Sequence, residues 1–171
     1  MSPTELAVHV RASFSDWKPL ASMTLREGYL QARHLGTLGF EPMRSVSEEK
    51  NWRNVHSKYI QDFIEGLPYL PADSLRFYFP RLMAFLLVEK FEQCDLCDVL
   101  DTFLYGIEVH QRSNHSKLAF LESLTAQQKT CTCSFLDVMA VRCKDSRLRS
   151  RCEKIAKILN FEKNLDGRSI K

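Results

Sequence analysis

The sequence predicts an all-α protein: a single compact multi-helix domain of six to eight helices with a central apolar helix. Three observations predict it. Apolar residues recur at three- and four-residue steps, as in Trp52, Val55, Tyr59, Phe63 and Leu67, which is the spacing of a helix face. Capping-box strings stand ahead of several such runs. No alternating strand pattern is present, and the Asp166-Gly167 pair lies in a polar stretch with no strands beside it. A chain of 171 residues fits one domain and buries roughly 70% of its unfolded surface, enough to fold without a staple.

In chain order, Thr24-Leu25-Arg26-Glu27 opens a first helix, which Gly36 and Gly39 end. Ser45-Val46-Ser47-Glu48 supplies a cap for the next. It carries Trp52 to Leu67 as one amphipathic stripe, widened by Ile60 and Ile64 and stopped by Gly66 and Pro68. Pro71-Ala72-Asp73-Ser74 starts a short helix through Tyr78. Pro80 lacks a backbone N–H and disfavours helical geometry in Phe79, so a break or kink is expected there. From Pro80 a second helix carries Leu82, Met83, Phe85, Leu86, Leu87, Val88 and Phe91, apolar nearly all round as a buried central helix must be. Leu96, Val99, Leu100, Phe103, Leu104 and Ile107 give another. Thr125-Ala126-Gln127-Gln128 caps a helix through Phe135, Val138, Met139 and Arg142, and Leu148, Cys152, Ile155 and Leu159 mark the last. The domain is expected over 1–162, with 163–171 as a frayed tail.

Composition excludes several classes. Six Gly and six Pro rule out collagen and low-complexity chains. The longest strictly apolar run, Leu82 to Val88, is far short of the ~20 residues that span a bilayer, so no membrane association is expected. Met-Ser-Pro-Thr-Glu has neither a basic nor an apolar signal region, which points to the cytoplasm. The six cysteines are accordingly read as reduced thiols. Charge is polarised. Residues 142–171 hold ten Lys/Arg and four Asp/Glu, whereas 1–141 hold fourteen and seventeen, giving an acidic body and a basic end.

Catalytic motifs for nucleotide, zinc-protease or hydrolase chemistry are absent from the sequence. Ser47-Glu48-Glu49-Lys50 matches S-x-x-K without its companion motifs, and Ser47 reads better as a helix cap. None of His9, His34, His56, His110 and His115 has an acid–base partner at useful spacing. Cys94-Asp95-Leu96-Cys97 has the spacing of a redox or metal pair. Its acidic neighbours oppose a low thiol pKa, and a zinc site would need the unusual Cys131-Thr132-Cys133 as its second half. Buried thiols packing as small hydrophobes are the favoured reading, with no metal and no cofactor.

Two charged features remain. Glu89, Glu92, Asp95, Asp98 and Asp101 recur every three residues, opposed only by Lys90, and form a candidate docking surface for a basic protein partner. Steps of three drift about 60° backward each, so on one helix the row slants round the surface. Arg147, Arg151 and Lys154 share a helix face in the basic end and are the alternative, a nucleic-acid contact, although stacking aromatics are missing there.

Several strings together resemble a known pattern: Thr24-Leu25-Arg26-Glu27-Gly28 followed by Ala32, Glu48-Glu49-Lys50-Asn51-Trp52, Leu75-Arg76-Phe77-Tyr78-Phe79-Pro80, and Phe120 through Gln128 followed by Phe135-Leu136. Their order is similar to that of a bacterial family of small, uncharacterised helical proteins, with an R-[FY]-Y-[LF]-P turn and an L-T-x-x-Q helix start, over residues ~24–140. The resemblance implies no catalytic residues. The cysteines and the basic end after Arg142 depart from the pattern. Small proteins with a polarised charged face and no catalytic motif also resemble immunity proteins of interbacterial toxin systems. That likeness implies a non-catalytic protein that neutralises a toxin by binding it.

Overall fold

The computed structural model of the chain describes residues 1–16, 23–33, 51–112, 121 and 123–166; of 93–94, 109–112 and 161–166 it describes the backbone alone. The described residues form seven α-helices and two short 3-10 segments and contain no strand. The helices are α1 (Pro3–Ser13), α2 (Leu25–Ala32), α3 (Ser57–Phe63), α4 (Ala72–Val88), α5 (Gln93–Arg112), α6 (Ala126–Arg142) and α7 (Ser146–Asp166). The 3-10 segments are Trp52–Asn54 and Ile64–Tyr69, on either side of α3.

Capping starts three helices as their sequences dictate. Thr24 and Glu27 exchange side-chain-to-backbone hydrogen bonds of 2.6 and 3.2 Å at the start of α2, and Thr125 with Gln128 do the same at α6. A third box, Ser2 with Glu5, opens α1, with Pro3 at its first turn. The helix at Thr24 is therefore not the first: Ser2-Pro3-Thr4-Glu5 carries the same capping signal and opens α1 ahead of it.

Two expectations are corrected. The stripe from Trp52 to Leu67 is not one helix. Asn51 accepts a bond from the Arg53 amide, Val55 and His56 adopt extended geometry, and Gly66 with Pro68 hold the C-terminal part in 3-10 form. The apolar period survives because all three pieces bury the same stripe. Pro80 does not break α4, which runs unbroken from Ala72 to Val88. Proline inside a helix costs ~3 kcal/mol, while fully burying one large apolar side chain contributes ~1.5–3 kcal/mol. Phe77, Tyr78, Phe79, Leu82 and Met83 are each at most 1% exposed around Pro80, so packing outweighs the missing hydrogen bond. The helix ends at Val88, leaving Phe91 in the link to α5. The cap at Ser45–Glu48, Gly36 and Gly39 lie outside the described residues, as do residues 167–171. The last helix continues to Asp166, past the point where fraying is expected.

The core is organised around α4. Rings of Phe14, Phe79, Phe103 and Phe135 follow one another at centroid distances of 6.2, 5.6 and 5.4 Å, tying α1, α4, α5 and α6 into one column. Helices α6 and α7 form a hairpin, fastened by Arg149 Nε donating to the Ala140 carbonyl at 3.1 Å. The first amides of α2 are taken by side chains from elsewhere: Leu25 N–H by Tyr78 Oη and Arg26 N–H by Tyr59 Oη, while Met23 N–H just ahead is taken by Ser74 Oγ. Those three bonds seat α2 on α3 and α4.

Candidate functional site

The acidic ladder starts where α4 stops. Glu89 is the C-cap of α4, its amide bonded to the Phe85 carbonyl at 3.0 Å. Glu92 supplies the first carbonyl of α5, accepting from the Leu96 amide. Asp95 lies in the first turn of α5, where the positive end of the helix dipole favours an acid. Glu92, Asp95 and Asp98 are exposed and Glu89 is partly so, and all four lie on the stretch from the end of α4 to the second turn of α5, the α4–α5 corner. Val88, beside Glu89, is 52% exposed, which adds an apolar contact to the charged one.

That corner is firmly mounted. Arg142, from the last turn of α6, donates through Nη1 to the carbonyls of Leu86 at 2.8 Å and Leu87 at 3.1 Å. These belong to the last turn of α4, whose carbonyls lack intrahelical partners. Cys97 in α5 touches Cys143, the C-cap of α6, with 3.0 Å between the sulfurs. Three helix ends therefore meet under the acids.

The fifth acid does not join them. Asp101 has rotated round α5 toward α7, as steps of three require. There it pairs with Arg151, one of the cations in the alternative site. Glu108 completes the arrangement, bonding Arg151 at Nε and Nη2 at 3.0 and 3.1 Å. Partial burial is the largest single effect and lowers the Arg151 pKa, but the hydrogen bonds and charges of Glu108 and Asp101 together outweigh it and raise the pKa. Candidates from the two rival patches thus satisfy each other. Of the remaining basic face, Arg147 is 72% exposed and stands 4.0 Å from Asp145, and Lys154 is exposed. Arg142 and Arg149 are taken up by backbone carbonyls.

The cysteines do not assemble as their spacing suggests. Cys97 packs against Cys143 at the C-terminal end of α6, whereas Cys133 lies ten residues before Cys143 on that helix and donates to the Ala156 carbonyl at 3.7 Å. Ten residues of helix span ~15 Å, too far for a shared metal ion. Among the described residues no group of three or more His, Cys, Asp or Glu is placed to hold a metal. Burial pushes the thiols of Cys131 and Cys143 up to about 11 and that of Cys152 up to about 12. The side chain of Cys94 and the residues His34, His115 and Ser47 to Lys50 lie outside the description.

One feature escapes the sequence reading. A cleft of about 520 Å³ is lined by Arg53, Asn54, Val55, His56, Ser57, Lys58 and Arg81. Arg81 spans its base, donating to the Val55 carbonyl at 2.7 Å and Ser57 Oγ at 2.9 Å. Burial, then the nearby Arg11, lowers its pKa. The available signal was Arg81 itself, set between Pro80 and the apolar run Leu82–Val88, since an arginine there must reach a polar partner.

Fold and surface together define the class: an all-α protein with a central apolar helix, an aromatic column and an exposed acidic corner. The chain belongs to a family of unknown function, DUF6714, which matches residues 2–160. The match extends on both sides of the residues that carry the resemblance and takes in α1 and most of α7. No curated protein and no solved structure matches the chain.

Proposed function

We propose that this chain is a non-catalytic cytoplasmic binding protein, specifically an immunity protein that neutralises a bacterial toxin by docking a basic domain on the α4–α5 corner. The observation that supports the reading is the exposure, full or partial, of Glu89, Glu92, Asp95 and Asp98 on the stretch joining α4 to α5, whose α4 end is braced by Arg142. A rigid acidic patch speeds association with a basic partner and rejects acidic ones. The exposed Val88 beside it supplies desolvated contact area. The nucleic-acid alternative is less well supported, because Arg151 is engaged by Asp101 and Glu108 and no longer offers its charge to a phosphate. No helix among the described residues is long and apolar enough to cross a membrane.

The test is protection. A candidate basic toxin domain, sought among the genes flanking this one, is produced with and without the chain, and binding of the purified pair is measured. The Asp95→Lys/Asp98→Lys double variant is expected to keep its circular dichroism spectrum, lose protection and bind at least about tenfold more weakly, mainly through slower association. Undiminished protection by that variant removes the acidic corner from the reading. Retardation of nucleic acid by the wild-type chain that weakens steeply with salt favours the alternative.

A further inference from the structure

We propose that Cys97 and Cys143 are an oxidant-closed thiol pair: a hydroperoxide entering at Cys97 converts them to a disulfide that joins α5 to the α6–α7 corner. The two sulfurs are 3.0 Å apart, against ~2.05 Å in a disulfide, so closure needs a movement of only about 1 Å. The residues are 46 positions apart, the contact joins α5 to the end of α6 beneath the acidic corner, and neither residue lines the cleft. Cys97 is partly exposed and Cys143 fully buried, which divides their roles. The accessible sulfur meets the oxidant and the covered one resolves it.

The chemistry balances with the hydroperoxide as sole oxidant. The Cys97 sulfur, as thiolate, attacks the terminal peroxide oxygen; the O–O bond breaks, an alcohol (water, from hydrogen peroxide) leaves, and Cys97 becomes a sulfenic acid. The Cys143 sulfur then attacks the Cys97 sulfur. The S–O bond breaks and the departing hydroxide leaves as water with the Cys143 proton. Two thiols and one peroxide give one disulfide, one alcohol and one water. Burial holds the Cys143 thiol protonated at neutral pH, so it stays unreactive until the sulfenic acid forms beside it. The Cys94-x-x-Cys97 spacing suggested a different partner; the fold offers Cys143 instead.

The experiment treats the full-length chain with a slight excess of hydrogen peroxide, alkylates the remaining thiols and maps the links by digestion and mass spectrometry. The expected result is loss of two of the six thiols, an intramolecular Cys97–Cys143 link, and a melting temperature raised on the order of 10 °C and restored by reductant. Cys94→Ser is expected to leave the link intact. Cys143→Ser is expected to stop at a Cys97 sulfenic acid that dimedone traps. A Cys94–Cys97 or Cys143–Cys152 link, a link between chains, or six surviving thiols overturns the proposal. Because mapping is done on the wild-type chain, poor folding of a variant does not decide the outcome, and the result does not depend on toxin binding.

Discussion

Arg151 shows how much a single side chain can do in this fold. Its side chain is 20% exposed, and the guanidinium engages Glu108 with two parallel bonds while also reaching Asp101. Such a fork is specific to arginine, since a lysine offers a point charge without the planar pair of donors. Arg151→Ala is expected to lower stability by ~1–3 kcal/mol in urea unfolding, because Glu108 is left half-buried without its partner. Arg151→Lys is expected to recover only part of that loss. The partners lie 43 and 50 residues upstream, so nothing in the local sequence announces the contact. Asp101 and Arg151 looked like surface groups because each fits a periodic charged row. Only the packing of α5 on α7 shows that the rows meet at that position.

At the scale of elements, capping was the most legible signal, because a box needs only residues three apart and is decided within one turn. Thr24 with Glu27 and Thr125 with Gln128 start helices where the sequence places them. The interior of α4 was misjudged at Pro80 because the cost of proline is local, while the burial that offsets it comes from α1 and α5, elements distant in the chain. The region from Trp52 to Tyr69 was misjudged for the converse reason: a periodic stripe also fits two 3-10 turns flanking a short helix. The packing of α2 on the second of those turns depends on Gly28 and Gly66. A Cβ on Gly28 would lie 2.5 Å from the Gly66 carbonyl oxygen, and one on Gly66 would meet the Leu25 carbonyl and the Tyr29 amide. All of these are backbone atoms that cannot rotate away. Gly66→Ala is therefore expected to cost at least ~2 kcal/mol and lower the melting temperature by roughly 5–8 °C in a thermal scan.

For the whole molecule, the central apolar helix and the all-helical class were legible because they rest on composition and period, whereas the assembly of the site rests on contacts across the chain. The acidic corner was half legible: its residues and their drift round the helix could be read, but not the meeting of Asp101 with Arg151. Buried thiols set a further property of the entire fold. Cys131, Cys143 and Cys152 titrate at about 11 to 12 in the folded chain against 9.0 for an exposed thiol. A raised folded pKa contributes stability that is complete below the unfolded value and is lost as pH rises through the folded one. Thermal stability is therefore expected to be flat with respect to these groups up to about pH 8 and to fall from pH 9 toward 11. Replacing Cys152 by Ala is expected to flatten that decline, as melting curves across the alkaline range will show.

The N-terminal helix is seated by partners that come much later. Phe14 meets Phe79, and Gln128 Nε2 donates to the Ser13 carbonyl at 3.3 Å across 115 positions. On a growing chain α1 is therefore covered in two stages, by α4 first and by α6 only once Ala126 to Arg142 have been made. Nascent chains halted before Thr125 are expected to leave only the α6-facing side of α1 open to proteases, and release past Arg142 to close that window.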